Sequence, residues 1–412
     1  MQREKNPISS PPPKLFNQKK QLDKRLEIEY NDGMKSNAIE PKPLGYQKSG
    51  KMRLIPHLLF TIVIGLLLLF LETPCSPNAS HTIHTQPTFG GFAQLDETKT
   101  RLIFVGDTQL TSLLELFRED NRDKMPLLIQ EIHRHQPALI LNLGDLVFCG
   151  SSQSQWSIFD KAHQLIIKDQ TPYFPLPGNH EYWCNPIKTF QNYFARFQHL
   201  QNRTWYSFRF RSIGVILLNS NFSKLTKNEQ AAQLRFYNKT LAEFNADNRI
   251  FYIIVCCHNP PYTNSKVVHP DKQVQQDFVL PFLKATKTVA FLSGHCHSYE
   301  KFKVDGKYFI VSGGGGGPRQ KLDLSQKKHQ PVDQFNGPEL RFLHFCQIDI
   351  QPKQLHFQII KLIDPGQFSL ADEFTIPTFP NFSPTKVPPN FVVPFLKRLS
   401  IQFFGRHLPL PH

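Results

Sequence analysis

The sequence predicts an α/β domain between residues 99 and 376. Apolar runs rich in β-branched residues alternate in this region with segments of helical pattern, which is typical of a sheet with mostly buried strands. Nearly every predicted strand is followed by Gly, Asp, Asn or His. Because ligand sites of open α/β sheets lie beyond the carboxyl ends of the strands, these residues also predict one polar site.

The predicted strands cover residues 101–105, 139–143, 173–176, 214–218, 250–257, 289–293 and 308–312. Helical patterns lie between them at 127–135, 156–168, 187–197, 229–244 and 275–285. Thr226 and Glu229 have the spacing of a capping box, so we expect the fourth helix to begin there. The sequence has no internal repeat, and its 40% content of hydrophobic residues excludes a wholly disordered chain.

Residues 1–53 differ in composition from the predicted domain. They contain twelve Lys and Arg against six Asp and Glu, several prolines and no sustained apolar period, so we interpret them as a basic, disordered tail. Residues 54–71 carry no charge and would span about 27 Å as a helix. We therefore predict a transmembrane anchor at 54–72, with the tail in the cytoplasm by the positive-inside rule.

Two other interpretations of this apolar segment stay open. It could be a buried core helix or, if translation began at Met52, the hydrophobic part of a cleaved signal peptide. Anchor and signal peptide both place the domain outside the cytoplasm, either membrane-bound or secreted. Residues 73–98 then form a linker, and 377–412 form a Pro/Phe-rich tail that either lies on a membrane surface or packs across the domain.

The seven cysteines fit an exported domain, because disulfides persist in oxidising compartments. Cys149 and Cys184 each follow one of the polar loops, so we expect them to lie close together and to pair. The odd number leaves at least one thiol that is unpaired or joined to another chain.

Five strand ends bring two Asp, one Asn and four His toward one crevice, and burying so many polar groups requires a neutralising partner. Two metal ions would meet this requirement if a carboxylate bridged them, and Asp145 suits that position. Nitrogen and oxygen ligands favour Fe, Mn or Zn, whereas Cys256, Cys257 and Cys296 leave thiolate ligation as an alternative. The other predicted ligands offer carboxylate, amide or imidazole atoms: Asp107, Gln109, Asn179, His258, His295 and His297.

The polar loops stand in the order and spacing of the calcineurin-like metallophosphoesterases, and the sequence resembles that family. The stretches GHCHSYE at 294–300 and YFIVSGGGGGP at 308–318 resemble the purple acid phosphatase branch. The resemblance covers residues 99–320 and implies a two-sheet β-sandwich flanked by helices. It is carried by the motifs Asp107-x-Gln109, Gly144-Asp145, Gly178-Asn179-His180-Glu181, His258 and Gly294-His295-x-His297.

Two positions depart from the family pattern. Gln109 stands where the first motif usually has His, or Gly in purple acid phosphatases, and Phe148 stands where the purple branch has a tyrosine ligand. A phenylalanine cannot ligate a metal ion, so no purple iron–tyrosinate centre is expected. These departures also keep open a catalytically inactive binding scaffold on the same fold.

The implied function is hydrolysis of phosphate esters, with phosphomonoesters favoured and an activity like that of acid phosphatases. A hydroxide held by two metal ions would attack phosphorus while the ions neutralise the phosphoryl oxygens. By resemblance, His180 contacts the phosphate or protonates the leaving oxygen, and Glu181 either orients His180 or is a structural carboxylate. Arg319, Tyr299 and His344 are further candidates for substrate contact. The net charge of +15 favours anionic partners such as phosphorylated substrates, but no recognition motif predicts nucleic-acid binding.

Overall fold

The computed structural model of the protein describes residues 86–112, 115, 118–325, 331–363 and 366–378. The predicted tail at 1–53 and the predicted membrane segment at 54–72 lie outside these residues, as does almost all of the C-terminal tail. Within the described ranges, no helix is long and apolar enough to cross a membrane. The domain boundaries and the membrane anchor therefore stay predictions.

Two six-stranded sheets form the framework of the described part of the chain. The first has the spatial order β12-β11-β10-β1-β2-β3 and the second β4-β5-β6-β7-β9-β8, where the labels follow chain order. This is the two-sheet α/β architecture that the resemblance implied. The strands are β1 (Arg101–Val105), β2 (Leu139–Asn142), β3 (Tyr173–Pro175), β4 (Tyr206–Phe210), β5 (Ile213–Leu217), β6 (Tyr252–Cys256), β7 (Thr288–Ser293), β8 (Tyr299–Val304), β9 (Lys307–Ser312), β10 (His344–Gln351), β11 (Gln354–Ile363) and β12 (Gln367–Pro377).

The strands that lead into the polar loops are parallel within each sheet. β1, β2 and β3 run in one direction, with Phe104 opposite Leu141 and Leu141 opposite Phe174. β5, β6, β7 and β9 are likewise parallel, with Leu217 opposite Cys256. Since the carboxyl ends of parallel strands meet at one edge of a sheet, the loops after these strands begin side by side.

Alternate residues of the central strands face two different cores. In β6, Ile254 and Cys256 pack in the core shared with the first sheet, whereas Ile253 and Val255 pack in a second core on the other face. Successive side chains of a strand point to opposite faces, so the sequence of a strand that is covered on both faces is a continuous run of apolar residues. For this reason the seven predicted strands end within two residues of the observed ends.

Helices cover the sheets. Tyr237 and Leu241 of α5 pack with Phe278 and Phe282 in the second core. The capping box that opens α5 is confirmed, because the Thr226 hydroxyl accepts from the amide of Glu229, whose carboxylate accepts from the Thr226 amide. The helices are α1 (Lys124–Arg134), α2 (Gln153–Ala162), α3 (Gln164–Lys168), α4 (Pro186–Arg196), α5 (Lys227–Ala246), α6 (Lys272–Val274) and α7 (Leu280–Lys284), with short 3-10 helices at Phe92–Gln94, His180–Tyr182, Gln198–Leu200 and Phe222–Lys224.

The structure corrects two helix predictions and adds strands that the sequence did not predict. The helix predicted at 156–168 is broken at His163, whose Nδ1 donates to the Phe159 carbonyl (2.8 Å). The helix predicted at 275–285 begins earlier, and its middle, Gln275–Val279, is π-helical. The added strands are β4, β8, β10, β11 and β12. In β11 and β12, half-buried or exposed Gln, Lys and Glu residues interrupt the apolar pattern.

Candidate metal centre

Loops at the carboxyl ends of the strands bring the predicted site residues together. Asp107 follows β1, Asp145 follows β2, residues 178–181 follow β3, and the histidines follow β6 and β7. The first two loops bind each other through their backbones, because Asp107 N donates to Gly144 O (2.9 Å) and Gln109 N donates to Asp145 O (3.1 Å). The site therefore sits on backbone that is itself hydrogen-bonded from loop to loop.

Three predicted ligands have left-handed backbone conformations, with φ values of 60° at Asp107, 55° at Asp145 and 68° at His295. Such conformations cost about 1–3 kcal/mol each in residues with a side chain and are common in functional sites. Hydrogen bonds hold them in place, since His295 N donates to Asp107 Oδ2 (2.8 Å) and His180 N donates to Asp145 Oδ1 (2.9 Å). The strained turns direct both carboxylates into the crevice.

Asp145 lies at the centre of the cluster. Its Oδ2 atom is 3.2 Å from His258 Nε2 and 3.7 Å from His180 Nε2. His258 Nε2 also lies 3.1 Å from Asn179 Oδ1. Potential ligand atoms of Asp145, His258 and His295 all lie within 4.8 Å of one another, so these three residues could hold one metal ion.

A second donor group lies beside the first. Potential ligand atoms of Asp107, Asp145 and His297 lie within 4.8 Å of one another, and His297 Nε2 is 3.4 Å from Asp107 Oδ1. The side-chain amide of Gln109 is 3.1 Å from the same ring nitrogen. Asp145 belongs to both donor groups, and it therefore occupies the position that a bridging carboxylate would need.

Backbone carbonyls orient three of the histidine rings. A carbonyl can only accept, so the ring nitrogen beside it carries the proton and the other nitrogen is left with a lone pair or a second proton. In each of these rings Nε2 faces a carboxylate oxygen, and this arrangement requires a proton or a metal cation between them. Nδ1 donates to Phe148 O from His180 (2.7 Å), to Leu143 O from His258 (2.8 Å) and to Pro318 O from His297 (2.8 Å).

Carbonyl oxygens also fix the orientation of the Gln109 side-chain amide. Its amide nitrogen belongs on the side of the carbonyl oxygens of Asp145 (2.8 Å) and Asp107 (3.3 Å), because these atoms can only accept hydrogen bonds. The amide oxygen then faces His297 Nε2 at 3.1 Å. An amide oxygen opposite an imidazole lone pair fits a shared cation, so the donor set of this chain suits metal ions.

Burial and neighbouring charges shift the pKa values of the cluster in opposite directions. Burial by itself would raise the pKa of the Asp145 carboxyl, but the His258 and His180 rings hold that pKa well below its ordinary value. Burial disfavours the charged form of His258, yet Asp145 raises the pKa of His258 to about 9. Burial and the charge on His258 lower the pKa of His295 to about 3. The crevice thus holds buried carboxylate charge that a cation would neutralise.

The cysteines next to the predicted ligands do not enter either donor group, which consist of carboxylates and imidazoles. Cys256, Cys257 and Cys296 are buried, and burial raises the pKa of each thiol, so each keeps its proton. This geometry gives no support to thiolate ligation. Cys149 and Cys184, in contrast, form the disulfide that the sequence predicted.

Glu181 is fully buried and binds the backbone of the site. Its carboxylate accepts hydrogen bonds from the amides of Asp145 (3.0 Å), Leu146 (3.0 Å) and Gly178 (2.8 Å). Burial and the charge of Asp145 raise the pKa of Glu181 to about 8. Because these contacts join the loops after β2 and β3, they favour the structural role of Glu181 over direct orientation of the His180 ring.

Two aromatic side chains that the sequence analysis did not connect with catalysis flank His180. The ring centroid of His180 is 5.0 Å from that of Phe148 and 3.8 Å from that of Trp183. The disulfide joins Cys149 and Cys184, the residues that directly follow these two aromatics. In the sequence, an aromatic residue directly precedes each cysteine of the disulfide. This is the one signal that could have predicted that Phe148 and Trp183 lie next to each other.

The structure gives little support to the other residues that the sequence suggested as substrate contacts. Tyr299 and His344 are fully buried and hydrogen-bond to other side chains, so the structure does not support their role as substrate contacts. Arg319 is half-buried, and its guanidinium pairs with the Glu119 carboxylate (2.9 Å). A role for Arg319 in binding substrate would therefore have to compete with this ion pair.

Known proteins similar to this chain are found in both sequence and structure. Residues 100–299 match the family model described as calcineurin-like phosphoesterase. Purple acid phosphatases 21 and 22 of Arabidopsis thaliana are 25% and 26% identical over 265 and 248 residues, which cover 60% and 56% of this chain. These matches cover 58% and 55% of the relatives, so the chain spans little more than half of their length.

A solved structure supports the fold. Purple acid phosphatase PPD1 from seeds of yellow lupin (Lupinus luteus) superimposes with a TM-score of 0.52 at 18% sequence identity. The match covers 68% of this chain and 53% of the lupin chain. At this level of identity the likeness concerns the fold alone.

Proposed function

We propose that this protein, whose residues 100–299 form a calcineurin-like metallophosphoesterase domain similar to the purple acid phosphatases, is a metal-dependent hydrolase of phosphate esters. The observation that carries the proposal is the position of Asp145, which is shared by two adjacent donor groups. Phosphomonoesters are the favoured substrates. The finer parts of the proposal are a centre of two ions and a location outside the cytoplasm.

The residues of the two donor groups would hold one ion each, with Asp145 common to both. We assign Asn179, His258 and His295 to the first ion, and Asp107, Gln109 and His297 to the second. Carboxylate, amide and imidazole donors suit Fe, Mn or Zn. When bound, such ions acidify water and neutralise the charge that develops on phosphoryl oxygens.

His180 is the residue of this chain best placed to handle a proton. Its Nδ1 is engaged by the Phe148 carbonyl, which leaves Nε2 as the only ring atom that can exchange a proton with a ligand. Nε2 points toward Asp145 from a distance of 3.7 Å. In the proposed reaction His180 donates from Nε2 to the phosphate or to the oxygen of the departing alcohol.

Glu181 serves as a positioning residue. It accepts hydrogen bonds from the amides of Asp145 and Gly178, so Asp145 and the turn that carries His180 keep a fixed position relative to each other. Asn179 and His295 are only partly buried and mark the side of the crevice that meets solvent. A phosphate ester would enter from that side.

Export from the cytoplasm is supported by the Cys149–Cys184 disulfide, since disulfides persist in oxidising compartments. Protease protection of the full chain in sealed membrane vesicles would test this location. Accessibility of the domain only from the cytoplasmic side would contradict it.

The central test is hydrolysis of an aryl phosphomonoester and an aryl phosphodiester by the full chain, first stripped of metal and then loaded with Mn, Zn or Fe. We expect loading to restore turnover, elemental analysis to find two ions per chain, and Asp145→Asn to lower kcat/KM by about a hundredfold or more. Asp169→Asn is the matched control, because Asp169 is an exposed carboxylate outside both donor groups. Turnover that needs no metal, or that survives Asp145→Asn, would contradict the proposal. Absence of both turnover and bound metal would favour the inactive scaffold.

A further inference from the structure

Trp183 stands out among the three tryptophans of the chain, all of which the structure describes. Trp156 and Trp205 are buried, whereas Trp183 is 42% exposed. Its indole ring nevertheless packs on His180, with the two ring centroids 3.8 Å apart. An exposed aromatic side chain thus packs on the proposed proton donor.

The indole is held in place on its protein side. The ring centroid of Phe148 lies 5.5 Å from that of Trp183 in an edge-to-face arrangement, and 5.0 Å from that of His180. The disulfide between Cys149 and Cys184 joins the residues that directly follow the two aromatics. A ring fixed in this way loses little conformational freedom when a ligand packs on it, so its accessible face is a pre-organised contact surface.

The position of Trp183 relates it to one part of the substrate. The oxygen of the departing alcohol must come within hydrogen-bonding distance of His180 Nε2 to receive a proton. The group attached to that oxygen then lies near the His180 ring, and Trp183, which packs on that ring and is 42% exposed, is the aromatic side chain next to it. An indole face carries no formal charge and packs best on another flat ring.

We propose that Trp183 is a specificity-determining residue that stacks on the alcohol part of the substrate, and that this site prefers phosphate monoesters of flat aromatic alcohols. The proposal rests on the phosphoesterase function above. In the reaction, the oxygen of water bonds to phosphorus, the bond between phosphorus and the aromatic oxygen breaks with its electron pair on that oxygen, and His180 supplies the proton that completes the alcohol. The proton that the water loses returns to His180 and restores it.

Ligand binding tests the contact without turnover. Acrylamide quenches accessible tryptophans, so in this chain it reports chiefly on Trp183. With the metal-loaded protein, we expect phenylphosphonate to reduce the quenching constant by about twofold, because a stacked ring covers the indole face. Methylphosphonate, which has the same phosphonate group and no ring, should leave quenching unchanged. Equal protection by both ligands, or protection by neither, would overturn the stacking contact.

Kinetics test the specificity. We expect Trp183→Ala to lower the ratio of kcat/KM for phenyl phosphate to kcat/KM for 2-glycerophosphate by about five- to tenfold, within the range of an aromatic stacking contact. Trp183→Phe keeps a ring and should largely restore the ratio. Leu280→Ala is the matched control, because it removes another exposed apolar side chain, on α7.

The ratio of the two kcat/KM values distinguishes a change in specificity from a general loss of activity. If Trp183→Ala merely loosened His180, both esters would be hydrolysed more slowly and the ratio would stay constant, which would overturn the inference while the phosphoesterase function stood. If the metal-loaded protein hydrolysed neither ester, the proposed function would fail. Selective protection of Trp183 from acrylamide by phenylphosphonate would then still support an aromatic binding site. Absence of this protection would overturn the aromatic binding site as well.

Discussion

Removal of the Cys149–Cys184 disulfide should lower the free energy of unfolding by about 4 kcal/mol. The bond joins residues that are 35 positions apart in the sequence. In the chain-entropy model, closing a loop of that length removes about 13 cal/mol/K from the unfolded chain, or about 3.8 kcal/mol at 25 °C. The perturbation is the double variant Cys149→Ser/Cys184→Ser, which leaves two short polar side chains at half-buried and exposed positions.

The assay is unfolding in urea, followed by tryptophan fluorescence and by circular dichroism over the same transition. The wild-type protein treated with a reductant provides the control, because it should match the double variant while the variant itself should not respond to the reductant. A loss of less than about 1 kcal/mol in the double variant would refute the reasoning, since the cross-link would then not restrict the unfolded chain as the loop length requires. A further loss in reductant would show that another disulfide contributes.

Three other predictions follow from single residues. Gly178→Ala would place a methyl group 2.1 Å from Asp145 Oδ1, so we expect elemental analysis to show loss of bound metal. Gly306→Ala is the control, because open space surrounds that position. It should retain metal and lower the free energy of unfolding in urea by about 1 kcal/mol. Burial raises the pKa of Glu300 from 4.5 to about 7, so the folded state holds the proton more tightly than the unfolded state. As the pH rises from 4.5 to 7, the free energy of unfolding should therefore fall by up to about 3 kcal/mol relative to that of Glu300→Gln. Urea unfolding of both proteins across this range measures the difference. A difference that stays constant with pH would contradict the shift in pKa. Thr226→Ala removes the N-cap of α5 and should cost about 1 kcal/mol by thermal unfolding; an unchanged midpoint would show that the cap contributes nothing.

The central strands that are buried on both faces were predictable, whereas the largely half-buried or exposed strands β11 and β12 were not. The run at Tyr252–Cys256 is apolar without interruption because both of its faces enter a core. β11 and β12 face solvent with many of their side chains, so Gln, Lys and Glu break their apolar runs. Their place in the first sheet depends on pairing with β10, which is a tertiary contact.

The residues of the candidate site were predictable as a set because each lies in a loop that follows a strand. Asp107, Asp145 and His258 lie after β1, β2 and β6, and parallel strands bring such ends together. Their roles as ligands and the number of ions stay predictions. The two donor groups depend on distances between loops that are far apart in the chain, as with Asp107 and His297.

The sequence by itself determined the α/β order of the central elements, the cluster of polar strand ends and the Cys149–Cys184 pairing, because periodicity and strand-end chemistry are local properties. Only the tertiary structure decided that Glu181 binds the backbone of neighbouring loops and that Trp183 packs on His180 with part of its surface exposed. Those contacts join segments brought together by folding, and the partner and exposure of a side chain depend on everything that packs around it.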